Sequence, residues 1–156
     1  MPMLSQTTIT ALQSLLYMML HADEAPHAPA QIAAQLGASP MYLGKIHTQL
    51  AKANILRTQR GAHGGVTLAR SPQSISLLEV LEACEGRILG AYCQPHDDTS
   101  VVCGFHAAMH DVQKSLLGTL NRWTLEDLRQ RPRPDASICD AVHCRMAAAC
   151  KGVERV

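Results

Sequence analysis

Cys93-Gln-Pro-His96 and Cys103-Gly-Phe-His106 set the same Cys-x-x-His pair twice, with six residues between the copies. Two thiols and two imidazoles within fourteen residues supply four soft or borderline donors, suited to zinc or to a two-iron cluster of mixed ligation. Positions 103 and 106 stand one helical turn apart at the start of a periodic run, so their side chains share a face. Cys93 and His96 repeat the spacing across Pro95, on a loop able to close onto that face. Three readings are open: a bound metal or cluster, a thiol switch at Cys93 or Cys103 that is oxidised to a sulfenic acid or a disulfide, and an inert remnant. Imidazole ligation would tie a cluster's potential and stability to protonation, which suits a sensor, whereas a fully ligated zinc would chiefly contribute folding energy.

The six cysteines, at 84, 93, 103, 139, 144 and 150, all lie beyond residue 80. No apolar run reaches membrane-spanning length and the N-terminus lacks the basic segment of a secretory signal, so a cytoplasmic chain is expected, in which thiols stay free, metal-bound or redox-active. Cys84 reads as a small core hydrophobe near the end of a helix. Cys139, His143, Cys144 and Cys150 are compatible with a second soft-metal site or a set of resolving thiols, but read first as exposed thiols on a flexible tail.

The elements that must position these groups follow from composition and periodicity. Aromatic residues make up only 3% of the 156, so the core is built from Leu, Ile, Val, Ala and Met, a mixture that favours helices. Ile9, Leu12, Leu16, Met19 and Leu20 mark a first helix over 7–22. A short second helix over 30–36 follows Pro29 and stops at Gly37; a third starts at Ser39-Pro40, buries Leu43, Ile46 and Leu50, and ends near Asn54. Strand-like alternation over 55–60 and 66–70, joined by the glycine-rich Gly61-Ala-His-Gly-Gly65, predicts a hairpin after the third helix. Ser76-Leu-Leu-Glu79 is a capping box opening a fourth helix that ends before Gly86. Val102, Phe105, Met109, Val112, Leu116, Thr119 and Trp123 then recur at steps of three and four, the seam of a long helix that calls for a partner, and Thr124 caps a last short helix.

The fold class expected is therefore mainly α with a small β-hairpin wing: a winged helix-turn-helix over 1–85, a sensor loop and long dimerisation helix over 86–130, and a Cys-containing tail over 131–156. Residues 1–75 carry a net +3 within a chain whose total is +1, with cations bunched between 45 and 70, a pattern compatible with phosphate contacts. Ser39, Met41, Tyr42 and Lys45 of the third helix, with Arg57, Arg60, Gly61, His63 and Gly64 of the hairpin, form the expected DNA-contacting set. No nucleophile-base-acid set, phosphate loop or catalytic carboxylate pair is present, which argues against an enzyme.

Three stretches, 46–57, Arg60-Gly-Ala-His-Gly-Gly-Val-Thr-Leu-Ala-Arg70, and Ile75-Ser-Leu-Leu-Glu-Val-Leu-Glu-Ala-Cys-Glu-Gly86, resemble the Rrf-two family of bacterial winged-helix transcription regulators. The family includes the iron-sulfur cluster regulator and the nitric-oxide-sensitive repressor. The resemblance spans about residues 5 to 130 and leaves out the tail. It implies a homodimer that reads a palindromic operator in double-stranded DNA through the third helix and the wing. It also implies a sensory cofactor, in several members an iron-sulfur cluster, between the fourth helix and the long one. Cys103 and His106 match the last Cys-x-x-His of the iron-sulfur cluster regulator, and Cys93 matches its first ligand.

The departures are specific. No cysteine lies between 93 and 103, and where some members use an acid or histidine from the partner's first helix this chain has Thr8 and Ile9, which ligate poorly. His96, backed by Asp97 and Asp98, is the local replacement. Gly44 stands where some members contact a base with an acid, Val66 replaces the wing's usual tyrosine, and His63 replaces one of its glycines. The resemblance thus favours a DNA-binding repressor that senses redox state, nitric oxide, iron or metal through a 2Fe-2S cluster at Cys93, His96, Cys103 and His106. The alternatives are zinc, a cofactor-free thiol switch, and a metal- or thiol-handling interaction protein that does not bind DNA.

Overall fold

The computed structural model describes residues 4–61, 63–87, 98–135, 137–138 and 141–152. Helix α1 (Gln6–Leu20) starts where the Ser5 hydroxyl accepts a hydrogen bond from the Thr8 amide, and all but four of its residues are buried, which makes it the axle of the fold. Pro29 and Pro40 open α2 (Pro29–Leu36) and α3 (Pro40–Lys52). Gly37 ends α2 in the left-handed region at φ 67°, a conformation that costs glycine nothing. Asn54, at φ 55°, turns the chain out of α3 towards the wing.

Leu43, Ile46 and Leu50 of α3 are buried at helical spacing and meet Leu15 and Leu16 of α1 and Ile32 of α2 in one core. Full burial of each such side chain contributes roughly 1.5–3 kcal/mol, so this cluster fixes α3 against the axle. The wing is an antiparallel pair, β1 (Leu56–Gln59) with β2 (Gly65–Leu68), in the register Leu56↔Leu68 to Gln59↔Gly65. A third, one-residue rung extends it: the His27 amide donates to the Val66 carbonyl at 3.0 Å and the Val66 amide to the His27 carbonyl at 2.9 Å.

Helix α4 (Leu77–Glu85) carries the complete Ser76/Glu79 capping box, and α6 (Leu125–Gln130) a second one, Thr124/Asp127. The two starts are tied together, since the Leu77 amide donates to the Trp123 carbonyl at 2.8 Å and the Leu125 amide to the Ile75 carbonyl at 3.0 Å. Between them runs α5 (Gly104–Arg122), 19 residues and about 28 Å long. Leu120 alone among its residues is buried.

The tail departs from the flexible extension expected of it. A short 3-10 turn, Ala147–Cys150, lies against α1, with Ala149 and Cys150 joining the main core. Side-chain amides fasten it: Gln35 donates to the Lys151 carbonyl at 3.0 Å and Gln13 to the Arg145 carbonyl, while the Arg133 guanidinium donates to the Cys150 carbonyl. Small residues let the backbone of the turn lie close to α1, and no helical or strand periodicity announces such a contact in the sequence. Cys150 is consequently a buried thiol, with burial pushing its pKa up, rather than an exposed one. Cys139 lies outside the described residues.

Candidate nucleic-acid interface and Cys/His site

Ser39 caps α3 by accepting from the Tyr42 amide at 3.2 Å, so the first turn of the helix is held in register before any contact is made. Met41 is 75% exposed and Lys45 is exposed, while Tyr42 is half-buried with its hydroxyl 3.0 Å from the Thr7 hydroxyl of α1. Met41 and Lys45 are thus the members of the expected helix set that project freely. Tyr42 is braced against the scaffold. Ser14 Oγ to His47 Nε2, at 2.8 Å, is a second and fully buried link between α1 and α3. Spacing alone gives His47 no partner, so this residue escaped the sequence reading; a polar residue on the apolar stripe is the signal it left.

Arg57 and Arg60 are exposed on and just beyond β1, as are Gly61 and His63 at the tip. Neither arginine, nor Lys45, enters an ion pair among the described residues. Arg70 differs. Its guanidinium donates to the Asn54 and Ser74 carbonyls at 3.1 and 3.0 Å and pairs with Glu79 at 2.6 Å, tying the foot of the wing to α4. Burial raises the Glu79 carboxyl, but the Ser76 amide and Arg70 outweigh it and hold the group below its ordinary range. Gly64 is the tightest point of the hairpin, since a Cβ there would lie 2.3 Å from the Gln59 carbonyl oxygen.

Of the four expected ligands, Cys103 and His106 fall within the described residues; Cys93, His96 and the flanking Asp97 lie outside them. Cys103 is the N-cap of α5 and exposed, its side chain taking no capping bond, and His106 follows one turn later, half-buried. These two donors suit one edge of a metal or cluster site. Among the described residues no three His, Cys, Asp or Glu side chains converge into a metal-binding group. Asp98 accepts from the Ser100 amide and hydroxyl at 2.9 and 2.6 Å, which lowers its pKa and spends it on a local turn. Thr8, which the sequence reading set aside as a poor ligand, donates its hydroxyl to Glu85 and is completely buried. Cys84 packs half-buried beside it, and burial pushes its thiol up to about 11, the behaviour of a core residue rather than a ligand.

Residues 4–131 match the model of the Rrf2 family, described as an iron-dependent transcriptional regulator. The chain belongs to the Rrf2 family. Among Rrf2 relatives it is 31% identical over 136 residues to protein rrf2 of Nitratidesulfovibrio vulgaris, covering 85% of this chain and 88% of that one. It is 27% identical over 129 residues to the HTH-type transcriptional regulator NsrR of Halalkalibacterium halodurans, covering 80% and 88%. Its fold is that of CymR, the global cysteine regulator of B. subtilis, with a TM-score of 0.64 at 24% identity over 81% of this chain and 95% of that one. The T. potens IscR structure superposes equally well, at TM-score 0.64 and 26% identity, covering 81% and 85%. As an Rrf2 member the protein is a transcription regulator with a winged helix-turn-helix, and its relatives are regulators rather than enzymes. Among the described residues no helix is long and apolar enough to cross a membrane.

Proposed function

We propose that this Rrf2 regulator is a homodimeric repressor that reads a two-fold-related operator with α3 and the wing, its affinity set by the state of a site at Cys93, His96, Cys103 and His106. The observation that carries the DNA-reading part is the contrast among the cations: Arg70 is spent within the fold, whereas Lys45, Arg57 and Arg60 face solvent with no ion-pair partner among the described residues. Ser39, Met41, Tyr42 and Lys45 on α3 with Arg57, Arg60, Gly61, His63 and Gly64 on the wing are the proposed contact set. Phosphate contacts by such groups release counterions, so affinity falls steeply with salt.

The dimer rests on α5. Its seam residue Val112 is 50% exposed, with Val101 and Trp123 exposed beyond its two ends, and apolar positions recurring at steps of three and four are the pattern that a second copy buries. A twin helix across a two-fold axis would set two wings and two recognition helices side by side. The sensory part rests on the resemblance and on Cys103 and His106 presenting soft donors at the start of that same helix. When bound, a 2Fe-2S cluster would supply a one-electron and ligand-exchange response. Its loss would change the restraint between the segment before α5 and the dimer helix, a shift between two states of unequal operator affinity.

Two measurements test the reading. Operator selection followed by fluorescence anisotropy across a salt series should return a palindrome and a steep salt slope; binding that is neither sequence-selective nor salt-dependent overturns the DNA-reading part. Anaerobic ultraviolet-visible spectra with iron, sulfide and zinc analysis should show sulfide-to-iron bands and near-equal iron and sulfide. Zinc without iron assigns a structural metal, and metal-free protein that still binds the operator assigns a thiol switch or a remnant.

A further inference from the structure

Met41 stands on the first turn of α3 and is 75% exposed; among the described residues of the winged helix it is the one large apolar side chain left in solvent. The other such side chains lie elsewhere, Val101, Phe105, Val112 and Trp123 on α5 and its flanks, Ile138 and Val142 on the tail. The core sets where Met41 points. Leu43, Ile46, His47 and Leu50 form the buried face of α3, and at about 100° per residue Met41 lies opposite the centre of that face. Lys45, Thr48 and Lys52 share the outer stripe with it, and all three are exposed.

What this stripe can offer a base edge is narrow. The Thr48 hydroxyl donates to the Gly44 carbonyl at 2.9 Å, so its proton is spent on the helix itself. Gly44 has no side chain, and nothing lies within 4 Å of where a Cβ would stand, so the helix surface is flat beside Met41. The Ser39 hydroxyl caps the helix and the Tyr42 hydroxyl is bonded to that of Thr7. Gln49 is exposed about 80° round the helix from Met41, at the edge of the stripe. The outer face of the first two turns therefore presents one cation, Lys45, and one apolar group, the Met41 thioether chain.

The N-terminal turns of a helix that reads DNA meet base edges in the major groove, where the apolar group on offer is the 5-methyl of thymine. An unbranched, polarizable side chain shapes itself to such a methyl and gains little from a phosphate or from the polar edge of guanine. We propose that Met41 is a specificity-determining residue, its thioether chain packing on the 5-methyl group of a thymine in each operator half-site. The inference rests on the DNA-reading part of the proposed function and adds to it a base and the group that is read. One methyl contact removed from water is worth about a fourfold change in affinity.

The test uses full-length protein and its selected operator, with each thymine on either strand replaced in turn by deoxyuridine, which keeps the base pair and lacks only the methyl. Anisotropy titrations should find a thymine in each half-site whose replacement weakens binding about fourfold. Met41→Ala should bind the thymine operator more weakly and no longer distinguish the two bases there, whereas Met41→Leu should keep the distinction. Met41 lies outside the core, so thermal unfolding should stay in place in both variants; Met41→Ser serves if Met41→Ala fails to fold. An operator in which no thymine is sensitive to replacement would overturn the proposal. A sensitive thymine whose effect persists in Met41→Ala would overturn it too, since another group or the shape of the DNA would then carry the preference. Failure to select any operator is a separate result, which overturns the DNA-reading part itself and this proposal with it.

Discussion

Ser14 Oγ of α1 and His47 Nε2 of α3 lie 2.8 Å apart, and both side chains are sealed from solvent. The pair fixes the rotation of α3 about its axis, since the bond survives only when His47 faces the axle. Burial lowers His47 from 6.5 to about 4, so the ring is neutral in the folded protein. The unfolded chain takes the proton first. The stabilisation is therefore complete above about pH 6.5 and drains away as pH falls towards 4, by at most about 3 kcal/mol. His47→Gln should remove this component, and urea unfolding between pH 4.5 and 7.5 will measure it. An acid slope that is the same in both proteins would refute the assignment. Ser14→Ala should cost about 1–2 kcal/mol at neutral pH.

The cations of the basic half are expected to separate by role. Arg57→Ala and Arg60→Ala should each weaken operator binding across sequences and reduce the salt slope by about 1. Arg70→Ala should instead cost about 1 kcal/mol of stability, discounted for its partial exposure, and leave the slope unchanged. Salt titrations of the three variants decide this. If Arg70 alters the slope as much as Arg57 does, the division of labour is wrong.

At Gly64 a methyl group has no room beside the Gln59 carbonyl. Gly64→Ala should force the hairpin open, with a loss of about 1–3 kcal/mol and weaker DNA binding. Gly44, on α3 with open space around it, should accept alanine without loss of stability. Thermal unfolding of the two variants side by side checks the contrast.

Cys103→Ala and His106→Ala should each lower iron content and abolish the visible bands while preserving the helical signal, because neither residue belongs to the core. Cys84→Ala should do the reverse, costing stability through the half-buried position it vacates and leaving any bound metal in place. Metal analysis alongside circular dichroism reads both. Retention of full iron content by the first two variants would dismiss them as ligands.

Ala149, within the tail turn, is completely buried where that turn meets α1. Ala149→Asp would place a carboxylate against α1, and the tail should detach rather than bury the charge. Trypsin cleavage after Arg145 and Lys151 should then accelerate at least tenfold, with the winged helix itself intact. Unchanged digestion would show that the docking contributes little.

Caps, breakers and periodicity in the chain determined the element order. Ser39-Pro40, Gly37, the Ser76/Glu79 box and the Thr124 cap are local signals, each satisfied by groups within four residues, and the helices start and stop within one or two residues of where those signals put them. The glycine-rich turn likewise announced the wing, and the resemblance carried by residues 46–86 led to the family that the comparison established. What tertiary structure alone decided are the pairings between residues far apart in the chain. Ser14 with His47, Thr7 with Tyr42 and Thr8 with Glu85 depend on how helices cross, which no short window encodes. The docking of the tail is of the same kind, because alanines and a cysteine have no face of their own until α1 supplies one. His27 is the clearest instance: beside Pro26 it reads as a loop residue, and only its pairing with Val66 of the wing and its place beside Tyr17 make it a buried imidazole.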